Sequence, residues 1–209
     1  MSNKVVFVYD FDKTLSPLDM QEYGLINQLG YLKPSMFWAK VNQFARLNNM
    51  DSILAYMYLM VEESKAKKLH LTKQMLMEHG KQIELFAGLN TWFDLINEQG
   101  KKLGLDVSHV VISAGLTSMI QGASIAHQFD HIFASEYLFD NNGFAVWPMM
   151  AVNYTLKTQY LFRINKGLYD LSDDTTINLP MPHESRPVPF KNIIYIGDGI
   201  TDEIGRAHV

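Results

Sequence analysis

Cysteine is absent from the 209 residues, which excludes disulfides, thiol catalysis and zinc sites built on thiolate. Long hydrophobic runs are absent too, since no apolar stretch approaches the ~20 residues of a membrane span. The N-terminal run Val5-Val6-Phe7-Val8-Tyr9 is broken at once by Asp10 and has no small-residue cleavage site after it, so it does not read as a signal segment. An excess of one charge is lacking. Eighteen Lys and Arg stand against 22 Asp and Glu, for a net charge of −4, which argues against a surface built for polyanions. The short basic cluster Lys65, Lys67 and Lys68 reads as the end of a solvated helix, because a nucleic-acid footprint needs a broader basic face. The seven histidines are scattered, none at metal-ligand spacing. These absences predict a soluble cytoplasmic protein that has neither nucleic acid nor membrane as a partner; oligomeric state leaves no mark.

What is present is ordinary globular composition, 47% hydrophobic, enough for one sizeable core and a smaller subdomain. Val5 to Tyr9 fits a strand buried on both faces, as in a parallel sheet. From about Pro17 to Leu85 the pattern turns helical. Pro34 suits a first turn, Asp51 and Thr72 suit N-caps, and Ile53, Leu54, Met57, Met60 and Val61 recur at helical spacing. The aromatic and Met residues there, such as Phe37, Trp38 and Tyr56, read mainly as helix-packing core, with some able to line a pocket.

After Phe86 strands and helices alternate. Asn90 is expected to cap a helix closed by Gly100. Val110-Val111-Ile112 is a second strand, followed by a helix over Thr117–His127, and Ile132-Phe133-Ala134 is a third. Asp140-Asn141-Asn142-Gly143 marks a hairpin turn. Leu156–Asn165 reads as a helix closed by Gly167, residues 170–189 as a long loop, and Ile193-Ile194-Tyr195-Ile196 as a final apolar strand. This alternation predicts an α/β fold, a doubly wound, parallel, Rossmann-like sheet with an inserted α-helical cap subdomain.

Three strands end in compact polar sequences: Asp10-Phe11-Asp12-Lys13-Thr14, Ser113-Ala114-Gly115, and Gly197-Asp198-Gly199-Ile200-Thr201-Asp202. Ligands of such sheets sit beyond the C-terminal strand ends, so these tips are expected to bring up to four carboxylates into one crevice. Clustered carboxylates repel one another, and a hard divalent cation such as Mg²⁺ resolves the conflict. Asp and Gly are also common turn formers, so each tip alone has a plainer explanation.

Together, the DxDxT strand end, the apolar run ending in Ser, a later Lys and the GDGxxD loop resemble the four motifs of the haloacid dehalogenase superfamily. The likeness is to its phosphatase branch, near the phosphoserine-phosphatase-like members with a helical cap after the first motif. It implies an α/β core over residues 1–16 and 86–203 and a cap over 17–85. It also implies Mg²⁺-dependent hydrolysis of a small phosphomonoester, the small phosphorylated molecule being the expected partner. In that scheme Asp10 is the nucleophile and forms an aspartyl-phosphate, and Asp12 is the acid and base. Thr14, Ser113, Ala114 and Gly115 hold phosphoryl oxygens, and Asp10, Asp12, Asp198 and Asp202 serve the metal. The third-motif lysine is expected at Lys157, near a helix start; Lys166, at a helix end that stabilises a cation without any function, is its rival. A phosphotransferase or mutase using the same intermediate, and a non-catalytic protein keeping the fold, are the alternatives.

The last six residues, Ile204-Gly205-Arg206-Ala207-His208-Val209, carry no apolar pattern. They are also what one frame of a common short-read sequencing adapter (AGATCGGAAGAGCACACGTCTGA) encodes before a stop. Residues 204–209 are therefore expected to be a non-native tail, with genuine sequence running to about Asp202.

Overall fold

The computed structural model describes residues 3–199. Asp202 and the expected tail at 204–209 lie outside the described residues. Five strands form one sheet: β1 (Lys4–Tyr9), β2 (Asp106–Leu116), β3 (His131–Phe139), β4 (Ala145–Met150) and β5 (Ile193–Ile196). Their order is β4-β3-β2-β1-β5. The pairs β1–β2, β1–β5 and β2–β3 are parallel, and β3–β4 is the antiparallel hairpin turned by Asp140 to Gly143. The order reverses beside β1, since β2 and β3 lie on one side of it and β5 on the other. A doubly wound sheet leaves its ligand crevice at such a reversal.

The alternation of β1 explains its burial. Val6 and Val8 pack with Val110, Ile112, Tyr160 and Ile164 on one face. Tyr9 points to the other, with Phe93, Val111 and Met119. The first face is covered by α7 (Tyr154–Lys166) and the second by α5 (Leu89–Lys102) and α6 (Thr117–Gly122). Between β1 and α5 the chain forms α1 (Leu25–Gln28), α2 (Pro34–Asn48), α3 (Ser52–Ala66) and α4 (Lys73–Gly80). Pro34 opens α2, Asp51 caps α3 by accepting the Ile53 and Leu54 N–H groups, and Thr72 caps α4, all as expected. Buried Phe37, Met57, Met60 and Leu76 from these helices join the cluster that includes Tyr9, Phe93 and Met119. Among the described residues no helix is long and apolar enough to cross a membrane.

Several expected boundaries are corrected. Gly88, not Asn90, caps α5; it takes φ +93, a conformation that side chains rarely adopt. Gly100 lies inside α5 rather than past its end, because a Cβ there would stand 2.3 Å from Val107 Cγ2. Its role is close approach to β2, and the chain turns instead at Gly104, with φ +70. The helix expected over Thr117–His127 stops at Gly122, where α6 meets α4 backbone to backbone, and resumes only as a 3₁₀ turn at Ala126–Gln128. Ser113-Ala114-Gly115 does not follow β2 but lies within it, where the register against β3 shifts between Ser113 and Leu116.

Beneath the site a polar chain runs from the buried Tyr9 and His109 out to the surface at Asn97. Trp92 Nε1 donates to Tyr9 Oη (3.0 Å), Tyr9 Oη contacts His109 Nδ1 (2.9 Å), and His109 Nε2 meets Asn97 Oδ1 (3.1 Å). An imidazole with one proton, on Nε2, satisfies every member. Burial pushes the His109 pKa down and holds that neutral form, while burial raises the Tyr9 phenol to about 12. The residue before Asp10 is thus fixed from below.

Candidate active site

Beyond Tyr9 the backbone leaves the sheet with Asp10 N–H still bonded to Ile196 O (2.9 Å), then winds tightly. The Phe11 carbonyl accepts from the N–H groups of Thr14, Leu15 and Ser16, and Lys13 sits at φ +60. Phe11 is fully buried, so its side chain pins this loop to the core while Asp10, Asp12 and Lys13 face one cavity of about 320 Å³. Ala114, Lys157 and Asp198 line the same cavity.

Asp10 is 9% exposed. Its Oδ1 accepts the Phe11 N–H at 2.7 Å, and its Oδ2 accepts from Lys157 Nζ at 2.6 Å. Lys157 reaches it from the first turn of α7, which Asn153 caps by accepting the Leu156 N–H. Lys166 goes elsewhere: its ammonium donates to the carbonyls of Ile177 and Leu179 and ties down the long loop. Geometry therefore joins Lys157 rather than Lys166 to Asp10.

Asp12 Oδ1 accepts the Met20 N–H at 2.8 Å. Burial pushes the Asp12 carboxyl well above the usual carboxylate range, and the neighbouring Asp19 and Asp10 charges push the same way. Gly115 lies against this group. A Cβ there would stand 3.0 Å from Asp12 Oδ2 and 2.1 Å from Met20 Cε, so a side chain at this position would displace the Met20 thioether.

The other expected phosphate holders divide. Ala114 lines the cavity, whereas Ser113 is fully buried and its Oγ accepts the Gly115 N–H at 3.0 Å. Ser113 and Gly115 thus brace each other at the bulge behind Ala114. Thr14 donates to Asp198 Oδ1 at 3.4 Å and orients that carboxylate.

Sequence reasoning missed several residues here. Tyr56 Oη donates to the Ala114 carbonyl at 2.8 Å and Ser135 Oγ donates to the same oxygen at 3.1 Å, so a helix of the insertion and a core strand hold that peptide together. Asp51, legible as a cap, also accepts from Asn153 Nδ2 at 3.0 Å, linking the starts of α3 and α7. Asp19, Ser52 and Tyr154 line the cavity as well. Asp19 pairs with Lys13 at 2.9 Å. Glu22 of the insertion accepts the Trp38 indole N–H at 3.1 Å, away from the residues that line the cavity.

Among the described residues, no three acidic or histidine side chains converge as a ready metal cage. The implied ligand set needs only two carboxylates and a carbonyl. Asp10 and Asp198 turn hard oxygens to one cavity, and among the described residues neither sulfur nor imidazole lines it, which is the donor chemistry Mg²⁺ takes.

Comparison with known proteins gives the family and the fold. The chain matches the haloacid dehalogenase-like hydrolase family over residues 7–202. An uncharacterized protein of Borreliella burgdorferi is 29% identical over 230 aligned residues, 96% of this chain and 76% of the relative. A HAD family hydrolase from Salmonella enterica serovar Typhi superposes with a TM-score of 0.65 at 20% identity, covering 100% of this chain but only 60% of that one. This chain therefore spans less than two thirds of the Salmonella protein's length. A phosphoserine phosphatase solved as an analogue of its phospho-aspartyl intermediate gives a TM-score of 0.61 at 16% identity over 97% of this chain and 81% of its own. At such identities the structures speak for the shared fold, and the family match speaks for kinship. The chain belongs to the haloacid dehalogenase-like hydrolases.

Proposed function

We propose that the protein is a Mg²⁺-dependent phosphatase that hydrolyses small phosphomonoesters through an aspartyl-phosphate on Asp10, with residues 17–85 acting as a cap over the site. The observation that carries this reading is the buried pair of Asp10 and Lys157, 2.6 Å apart, at the wall of a cavity shared with Asp12, Ala114 and Asp198. A carboxylate oxygen of Asp10 attacks phosphorus as the bond to the leaving oxygen breaks, and Asp12 gives its proton to that oxygen. Burial supports the acid role, because it favours the protonated carboxyl before the step. Water then attacks phosphorus, Asp12 takes back a proton, and the bond to Asp10 breaks to restore the carboxylate.

Lys157 offsets negative charge on Asp10 and on the phosphoryl group, and the Ala114 peptide, held by Tyr56 and Ser135, stands ready beside the phosphoryl oxygens. Asp10, the Asp12 carbonyl and Asp198 would hold Mg²⁺, which supplies charge neutralisation for the transferring group. Thr14 keeps Asp198 aimed for this purpose. The test is turnover of p-nitrophenyl phosphate. Chelation by EDTA is expected to lower it at least about 100-fold, and added Mg²⁺ to restore it. Full turnover in EDTA would remove the metal from the scheme.

A further inference from the structure

A second cavity, of about 230 Å³, adjoins the catalytic one and shares Asp12, Asp19, Ser52, Ile53 and Ala114 with it. It runs between the strand tips and the insertion, on the side where Asp12 faces, and so lies where a leaving group departs. Its walls are Trp38, Val41, Ile53 and Tyr56, with Gln21 and Asn42 adding amides.

Its charges are one-sided. Both ionisable carboxyls on it, Asp12 and Asp19, are acidic, and among the described residues no Lys, Arg or His lines it. The two lysines of the adjoining cavity are already committed, Lys13 to Asp19 and Lys157 to Asp10. A carboxylate entering here would meet two acids, the nearest cation, Lys13, being already paired with Asp19. Gln21 adds a directional signal. It is 2% exposed, and its Oε1 is a buried acceptor with no partner among the described residues. A buried acceptor left unpaired is costly, so a ligand that donates to it recovers that cost on binding. The Trp38 ring is held by its bond to Glu22 and by edge contact with Tyr56, giving a fixed aromatic wall for short methylene groups.

We infer that this cavity takes the leaving alcohol of a phosphomonoester that donates hydrogen bonds and bears no carboxylate, a primary amino alcohol being the best match. Gln21 Oε1 accepts from the ammonium group, Asp19 faces its charge, and the aromatic wall covers its carbons. This rests on the phosphatase reading above and adds the substrate class to it.

The test compares kcat/KM for phosphoethanolamine and phosphoserine, which differ by one carboxylate, with p-nitrophenyl phosphate as the reference for phosphatase activity itself. Phosphoethanolamine is expected to be favoured by about tenfold or more, mainly through KM. Asn42→Arg, at an exposed wall position that tolerates the change, supplies the missing cation and is expected to shift the ratio toward phosphoserine by about tenfold. Gln21→Met removes the acceptor and is expected to narrow the wild-type preference. Turnover of p-nitrophenyl phosphate together with phosphoserine equal to or above phosphoethanolamine overturns the inference and leaves the phosphatase reading standing. No turnover of any of the three overturns both.

Discussion

Replacing Asp10 by asparagine is expected to lower turnover of p-nitrophenyl phosphate by about 10⁴-fold or more, with the protein still folded. The amide keeps the size of the carboxyl, but its single oxygen can accept from either Lys157 or the Phe11 N–H and not from both, since those bonds use different carboxylate oxygens. What it loses is the negative oxygen that forms the bond to phosphorus. Because the loop is fixed by the three N–H groups on the Phe11 carbonyl and by the buried Phe11 ring, the neighbours have little reason to move. The loss should therefore appear in kcat, with an unfolding curve close to that of the wild type. Comparable turnover by the two proteins would place the nucleophile elsewhere.

The second large effect concerns stability. Gly122→Ala is expected to cost about 3 kcal/mol, lowering the midpoint of thermal unfolding by roughly 6–12 °C. A Cβ on Gly122 would stand 2.0 Å from the Met77 carbonyl oxygen, and one on Gly80 would stand 2.1 Å from that of Met119. The contacts are reciprocal and involve backbone, so no side chain can swing aside to relieve them. Helix α4 of the insertion thus touches α6 of the core through two glycines, and either substitution pushes the helices apart. Helix α6 begins right after Leu116, two residues past Ala114, so the displacement should reach the catalytic cavity too. An unchanged unfolding midpoint for Gly122→Ala would show that the crossing is looser than this.

Features set by local chemistry were legible in the sequence. The apolar run at Val5 is a strand of the sheet interior, the run at Ile193 pairs parallel with it although Ile194 stays exposed, Asp51 and Thr72 open helices through bonds within one turn, and Pro34 opens one through its fixed φ. Asp10, Asp12 and Asp198 could be picked out because polar residues follow those strands directly. What could not be read was the purpose of each glycine and the reach of each side chain. Gly100 reads as a helix end and Gly122 as one position inside a longer helix, but they serve contacts with Val107 and Met77 that only the tertiary fold creates. Tyr56 reads as one more core aromatic at helical spacing, and its bond to the Ala114 carbonyl spans 58 positions of sequence. Gln21 sits in a stretch with no motif, and its unpaired oxygen becomes visible only once neighbours surround it. Lys157 and Lys166 share a helix, and their places at its start and end favour Lys157, but the bond to Asp10 is visible only in the placement of α7 against β1.

The central claim is that Asp10 carries the phosphoryl group between two displacements. Acid quenching of the protein during turnover, followed by peptide mass analysis, tests it most directly. The account predicts one phosphoryl group on the peptide that contains Asp10, absent from the Asp10→Asn protein and lost when the quench is delayed until substrate is exhausted. Steady turnover with that peptide never modified, or with the phosphoryl group found on another residue, would contradict it.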